Sequence, residues 1–370
     1  MAFKNQIQKL LDKAGITING SNPWDIQVHD ERFYGRVIRQ GLLGLGESYM
    51  DGWWDVPELD QFFYKAIRAQ LEGEVQPWWQ RMLERSIQRF FNLQSRARAF
   101  QVGEQHYDIG NDLYTRMLDS RMVYSCGYWK DAKTLDEAQE AKLDLICRKI
   151  GLKDGQRVLD IGCGWGSFAK FAAEMYGAHV VGLTISVEQA KLAQEVCAGL
   201  PVEIRVQDYR DLNERFDHII SIGMFEHVGY KNYREYMEMA HRCLAPDGFF
   251  LLHTIGGNES GTGADPWTQK YIFPNGMLPS VSQIGRSIEG LFVMEDWHNF
   301  GAYYDTTLMA WNENFQAAWP DLEKKYGERF KRMWQYYLLI FAGSFRARAD
   351  QLWQVVLSPK GVPGGYTSVR

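Results

Sequence analysis

The sequence predicts an α/β protein: a doubly wound sheet with helices on both faces, preceded by a small, mostly helical domain. Three observations carry this. Apolar runs of strand length alternate with segments of helical period between residues 135 and 255. One of those runs, RVLDIG, passes directly into a glycine-rich turn, CGWGS, within residues 157–167. The chain has 370 residues, more than one ordinary core accommodates, so a second domain is expected.

Taken in order, residues 5–14 (NQIQKLLDKA) read as a helix with Ile7, Leu10 and Leu11 on one face. Residues 16–40 mix short strand-like and helical runs, and GLLGLGESYMDGWW (41–54) is a glycine-rich stretch followed by aromatics. Residues 58–92 look helical. The last of these helices carries Arg81, Arg85 and Arg89 at i, i+4 spacing among Trp78, Trp79, Met82, Phe90 and Phe91, with Arg96 and Arg98 following. Such a face suits an anionic lipid surface; a solvated face with arginines paired to nearby acids is the plainer alternative. The division expected is an N-terminal domain over 1–95, a linker over 96–102 and a catalytic domain over 103–370.

Within the second domain, helix 135–150 precedes RVLDIG, helix 167–176 precedes HVVGLT (179–184), and helix 186–197 precedes VEIRVQD (202–208). HIISIG (218–223), helix 231–244 and FFLLHTI (249–255) follow. Strands alternating with helices mean a parallel sheet covered on both faces.

Composition narrows the function. Hydrophobic residues at 45% and charged residues at 24% are normal for a globular protein. Thirteen Trp and nineteen Tyr suggest either an apolar or cationic guest or simply a rich core. A net charge of −5 argues against broad nucleic-acid binding. The five cysteines (Cys126, Cys147, Cys163, Cys197, Cys243) are odd in number and lack CxxC spacing, which disfavours a disulfide framework or zinc ribbon. MAFKNQIQKLLDKAG has no apolar signal core, and no run approaches the roughly 20 apolar residues of a spanning helix. A cytoplasmic protein that meets any membrane from outside is expected.

The glycine turn narrows it further. Gly162, Gly164 and Gly166 in DIGCGWG allow a tight turn and close approach of a ligand to a helix N-terminus. The spacing is GxGxG, not the GxGxxG that fits a pyrophosphate. Asp160 stands two residues ahead of the first glycine, where a carboxylate suits an ammonium. The methionine moiety of S-adenosylmethionine carries such an ammonium. Thr184 ends the second strand, where methyltransferases usually offer an acid to the ribose; its hydroxyl and Gln189, one turn on, are the available substitutes. Gln207 and Asp208, in QDYRD after the third strand, fall where the adenine amine is expected. All lie at carboxyl ends of strands, the ligand edge of an open α/β sheet.

A second constellation follows. Glu226 and His227 lie in GMFEHVG after the fourth strand, and His253 after the fifth. Tyr124 and Cys126 lie upstream in YSCGYW, Tyr303 and Tyr304 downstream in GAYYDTT. No pair has a standard metal spacing such as HxxxH. A Cys–His nucleophile is conceivable, yet methyl transfer needs no covalent intermediate. A donor and acceptor cluster for proton abstraction is the third reading, and Glu226 and His227 merely capping the next helix is the fourth.

The runs LGLGESYMDGWW, FNLQSRARA, EQHYDIGNDLY, YSCGYWKDA, RVLDIGCGWG, GLTIS, QDYRD, GMFEHVG, LLHTIG, DPWTQKYIFPNG, MEDWHNFG and YDTTLMAW occur in this order. With them the chain resembles the bacterial cyclopropane-fatty-acyl-phospholipid synthases from near residue 5 to about residue 355. The resemblance implies a class I, Rossmann-like methyltransferase with a doubly wound mixed sheet and a lipid-binding N-terminal domain. It implies methyl transfer from S-adenosylmethionine to the cis double bond of an unsaturated phospholipid acyl chain, followed by ring closure with bound bicarbonate as base. It assigns that anion to Glu226, His253 and Tyr304, with backbone contacts near Cys126 and Ile255, and places Tyr124 and Ser125 beside the cofactor. It further implies a peripheral protein of the inner membrane and a homodimer. Some relatives carry a cysteine in the helix that here reads YYLLIFAGSF; Phe341 stands there instead.

Overall fold

The computed structural model describes residues 2–71, 110–261 and 263–370, which divide into two compact units. The expected basic helix with Arg81, Arg85 and Arg89, and the linker at 96–102, lie outside the described residues.

The first unit opens with α1 (Ala2–Asp12), three residues ahead of its expected start, then β1 (Gln27–Val28), α2 (Arg32–Met50), β2 (Trp54–Asp55) and α3 (Leu59–Arg68). The glycine-rich stretch from 41 is mostly helix. It forms the C-terminal part of α2, interrupted at Gly41 (φ 59°, ψ −135°).

The chain then builds the second unit with α4 (Asn111–Met117), α5 (Leu135–Lys149), β3 (Arg157–Ile161), α6 (Ser167–Tyr176), β4 (His179–Thr184), α7 (Val187–Val196), β5 (Val202–Val206), β6 (Phe216–Ile222), α8 (Tyr233–Cys243) and β7 (Leu244–Gly257). Helix α5 starts on a capping box in which the Thr134 hydroxyl accepts from the Glu137 amide and Glu137 reaches back to Thr134. Next comes α9 (Pro266–Tyr271), opened by Asp265, whose carboxylate accepts from the amides of Trp267 and Thr268, with Pro266 in the first turn. Then follow α10 (Val281–Ile288), β8 (Val293–Asn299), α11 (Ala302–Tyr326), α12 (Glu328–Ala347) and β9 (Asp350–Ser358).

Sheet order in the second unit is β5-β4-β3-β6-β7-β9-β8. Strands β3 to β7 pair in parallel and β8 pairs antiparallel with β9, so the sheet is mixed, as the resemblance implies. Period-two alternation sorts its residues into two cores. Val158, Val180, Ile220, Leu251 and Val356 face α5 and α6. Leu159, Val181, Ile219, Phe250 and Val355 face α8 and α10.

Gly263–Pro274 and Tyr304–Asp350 belong to the first unit, so its sequence is not the continuous 1–95 expected from the chain. Their rings explain why. Trp267 meets Tyr336 at 4.4 Å between centroids, and Tyr336 meets Tyr49 at 5.5 Å and Phe63 at 5.1 Å. Much of the aromatic surplus is therefore core. Glu47 anchors the same region, accepting from Lys270 (2.6 Å), Tyr271 (2.8 Å) and Arg36. Burial alone would raise its carboxyl, but these donors bring it down to about 2. Arg346 of α12 joins Asp60 (2.6 Å) to Asp305 (2.8 Å).

Helix α12 packs onto α3 so closely at Gly343 that an added Cβ would stand 2.8 Å from the Asp60 carbonyl and 2.9 Å from the Phe63 Cβ. Gly343→Ala is expected to cost about 1–3 kcal/mol. At Gly285 in α10 a methyl meets nothing within 4 Å, and Ala there should be neutral or stabilising by up to about 1 kcal/mol. Denaturant unfolding of the two variants checks this, and equal effects would contradict the packing argument.

Candidate active site

Outward from β3 the chain visits β4 and β5 on one side, then crosses to β6 on the other. This reversal leaves a crevice at the carboxyl ends of β3 and β6, the usual ligand position in such sheets. The glycine turn lies there. Gly162 has φ 81° and Gly166 φ 83°, values that L side chains rarely adopt, and a Cβ on Gly162 would press to 2.7 Å of the Met224 side chain. Gly164 is also left-handed, at φ 53°. Gly166 is the N-cap of α6, so the turn presents that helix's first amides.

Asp160 follows Val158 by two and so faces α5. It is 2% exposed, and burial pushes its carboxyl up to about 7, with Lys142 opposing. Lys142 is fully buried. Burial lowers its ammonium to about 8 against the pull of Asp119, Cys126 and Asp160. Its Nζ donates to Ser125 Oγ at 2.9 Å. One turn earlier, Gln139 Nε2 donates to the Ser125 carbonyl at 2.7 Å. Helix α5 thus holds the YSC segment by side chain and backbone together. Tyr124 lies edge-on to Tyr114 (5.2 Å), which packs on Trp165 of the glycine turn (4.9 Å). Cys126 is wholly buried, its Sγ donating to the Gly127 carbonyl at 3.2 Å.

At the end of β4 the Thr184 hydroxyl donates to Gln189 Oε1 (2.9 Å), joining the two residues expected near a ribose. The Gln207 amide donates to the Thr184 carbonyl (3.0 Å). Asp208 caps a 3-10 turn over Tyr209–Asp211 and binds Arg210 through both oxygens (2.9 and 2.7 Å).

Across the switch point, Glu226 lies in the 3-10 turn Phe225–His227 after β6, and helix α8 takes Asn232 as N-cap. Neither Glu226 nor His227 caps that helix. Glu226 Oε1 accepts from the Ile255 amide at 2.7 Å, while Oε2 is buried with no hydrogen-bond partner. Burial raises its carboxyl to about 7. The Ile255 amide thus holds the Glu226 carboxylate against β7, two residues beyond His253.

His253, two residues after Leu251, faces α5. It is fully buried, and burial together with the field of Lys142 and Lys149 holds it well below the usual histidine range, so it is neutral. Its Nδ1 lies 3.2 Å from Gln354 Nε2, and its Nε2 has no partner. Tyr304 belongs to the other unit, buried at the start of α11 against Phe345 (4.5 Å) and Trp311 (5.9 Å). Phe341 packs on Tyr337 and Phe273. All five cysteines are buried free thiols, and no metal-binding group of three or more acids, histidines or cysteines occurs among the described residues.

Residues 94–355 match the family model described as mycolic acid cyclopropane synthetase. The chain belongs to the cyclopropane synthetase family. It is 59% identical over 362 residues to the cyclopropane-fatty-acyl-phospholipid synthase of Escherichia coli strain K12, covering 98% of this chain and 94% of that protein. Among solved structures it is similar to the cyclopropane synthase MmaA2 from Mycobacterium tuberculosis (TM-score 0.64, 32% identity, 70% of this chain and 97% of that one). A comparable likeness holds to the mycolic acid cyclopropane synthase CmaA1 complexed with SAH and CTAB (TM-score 0.64, 33% identity, 70% and 97%). The protein is an S-adenosylmethionine-dependent methyltransferase with the class I fold expected from its sequence.

Sequence reasoning missed Gln139, Lys142, Lys149 and Gln354. One signal was present: Lys142 and Lys149 fall seven residues apart on the stripe of α5 that also carries Leu135, Ala138 and Ile146. Lys142→Met, which leaves Asp119 and Asp160 without their buried cation, is expected to lower stability by about 3–5 kcal/mol. An unchanged thermal midpoint would show that the ammonium balances nothing.

Proposed function

We propose that the protein methylates the cis double bond of an unsaturated acyl chain in membrane phospholipid and closes a cyclopropane ring, with bound bicarbonate as base. The observation that carries this is two buried, partnerless polar atoms, Glu226 Oε2 in the turn after β6 and His253 Nε2 on the adjacent β7. Buried polar groups are satisfied as a rule, so this pair suits a small polar ligand. A neutral imidazole N–H donates to an anion, and a carboxyl near neutrality exchanges a proton with one. Bicarbonate, once held, supplies the base for the proton lost as the ring closes. Glu226 and His253 orient it, Ile255 holds Glu226, and the segment carrying Cys126 closes the site with its backbone. Tyr304 is assigned to the same anion by the family resemblance.

The remaining chemistry fits these surroundings. In the proposed reaction the acceptor carbon bonds to the sulfonium methyl as the S–C bond breaks, and one proton leaves. An alkene is a weak nucleophile, so positioning supplies much of the rate. Water would quench a cationic acyl chain, so burial of Cys126, Asp160 and His253 keeps the surroundings dry. Aromatic faces stabilise such a cation by roughly 0.5–2 kcal/mol each without attacking it. No helix among the described residues is long and apolar enough to cross a membrane. The proposal includes a peripheral, cytoplasmic enzyme, dimeric as the family resemblance implies, that meets its lipid at the bilayer surface.

For the cofactor, we propose that Asp160 receives the ammonium, with Tyr124, Ser125 and the glycine turn around the methionine portion. Thr184, Gln189, Gln207 and Asp208 are assigned to ribose and adenine. An ammonium selects the ionised form of a carboxyl that sits near 7. Affinity for S-adenosylmethionine should therefore rise about tenfold from pH 5.5 to 7.5, with proton release on binding below 7. Asp160→Asn should bind more weakly and lose this dependence. Calorimetry in buffers of different ionisation enthalpy measures both, and a pH-independent wild type would exclude Asp160 from the role.

The reaction is tested with vesicles of unsaturated phospholipid and labelled S-adenosylmethionine. Product lipid should gain one CH2 and lose its double bond. A saturated methyl branch or an exocyclic methylene would place the chain with another chemistry of the family. Glu226→Gln should reduce turnover about tenfold or more, with partial recovery at raised bicarbonate. Full wild-type activity in bicarbonate-depleted buffer would overturn the bound-base reading.

A further inference from the structure

Strand β9 carries a glutamine where its neighbours are apolar: Leu352, Trp353, Gln354, Val355, Val356. Gln354 is 0% exposed. Its side chain shares the α5 face of the sheet with Val356, and its Nε2 lies 3.2 Å from His253 Nδ1. An amide nitrogen donates and never accepts. Nδ1 must then offer its lone pair, and a neutral ring must carry its one proton on Nε2, the atom that is buried without a partner. The neighbours of His253 fix where the residue sits. Phe300 packs edge-on against it at 5.9 Å, and the Gly223 amide fixes the His253 carbonyl at 2.9 Å.

We infer that Gln354 is a positioning residue that fixes the tautomer of His253, so that Nε2–H points as a donor at the anion held with Glu226. This deepens the reading of the site as a bicarbonate cradle and rests on it. Turning the amide over would place Oε1 at Nδ1–H and leave an Nε2 lone pair facing the anion, which repels it. The groups around the ring favour the neutral donor form. Lys142 and Lys149 of α5 act on it as cations, Glu226 lies across on the turn after β6, and β9 contributes the uncharged Gln354. A carboxylate at position 354 would reverse this balance by drawing the proton to Nδ1 or charging the ring.

The test uses the full chain and two independent readouts. Long-range 15N–1H spectra of the histidine-labelled protein, assigned by loss of one signal in His253→Asn, report which ring nitrogen carries the proton. The Nε2–H form is expected across pH 6–8, and an Nδ1–H form overturns the inference whatever the activity. In the vesicle assay, Gln354→Glu should lower kcat at least tenfold, leave KM for S-adenosylmethionine unchanged and shift the pH profile of kcat from that of the wild type. Gln354→Met, which removes the donor without adding charge, should fall between them and bind bicarbonate more weakly. Wild-type kcat and pH profile in Gln354→Glu overturn the inference. Should the wild type form no cyclopropane, the proposed function fails while the spectra still decide the tautomer.

Discussion

Charge buried on one face of one sheet governs this molecule. Asp160, His253 and Gln354 come from three different strands, yet period-two alternation turns all three toward α5. That helix answers with two lysines seven residues apart, Lys142 and Lys149, both buried. Ionisable groups in such surroundings are costly unless each compensates another. Here burial outweighs the mutual attraction: it moves Asp160 up to about 7 and Lys142 down to about 8, and the pairing only limits each shift. Near neutrality both stand close to exchanging a proton, and a small charged ligand changes the balance of the whole face.

The same helix also sets the local backbone. Gln139 and Lys142 hold Ser125 by its carbonyl and its hydroxyl, and Asp119 accepts from the amides of Arg121 and Val123. The segment from 119 to 126 has no regular secondary structure of its own. Its shape comes from polar groups satisfied by buried side chains, which is how an irregular segment keeps a fixed geometry inside a core. Loss of one such group disturbs both the charge balance and the position of Cys126.

What the sequence made legible follows from this physics. The five parallel strands were readable because both faces of the sheet are apolar, and apolar runs alternating with helical periods have few other interpretations; the antiparallel β8 and β9, and the order of the sheet, were not. The glycine turn was readable because Gly162 and Gly166 occupy left-handed conformations that other residues strain to adopt. Glu226 and His253 were visible as polar residues at strand ends. Lys142 was not, because in LDEAQEAKLDLICRK a lysine among glutamates reads as solvated surface, and only the packing of α5 shows it to be core. Gln354 was hidden likewise, since its importance lies in a hydrogen bond to a residue 101 positions away. That two later segments join the first compact unit was hidden for a related reason. Helical periodicity identifies α11 and α12 as helices without saying which core they join, and it is the rings of Tyr336 and Trp267 that carry those segments to the first unit.

The partnerless atoms at the site are the counterpart of this compensation. The two buried ammonium groups of α5 are answered, Lys142 by Ser125 and Lys149 by His298 at 3.0 Å and Asp296 at 3.7 Å, whereas Gln139 Oε1 and Gln354 Oε1 are, like the site atoms, without a partner. Glu226 and His253 are each satisfied at one atom and open at the other, with Ile255 and Gln354 on the closed sides. A protein that needed these residues only for stability would gain by replacing them with apolar side chains of similar volume, since half-satisfied buried polar groups are worse than none. The proposed anion would complete the hydrogen bonds of both open sides. In the proposed reading the closed sides hold Glu226 and His253 in place before the anion arrives, so that little reorganisation remains when charge develops there.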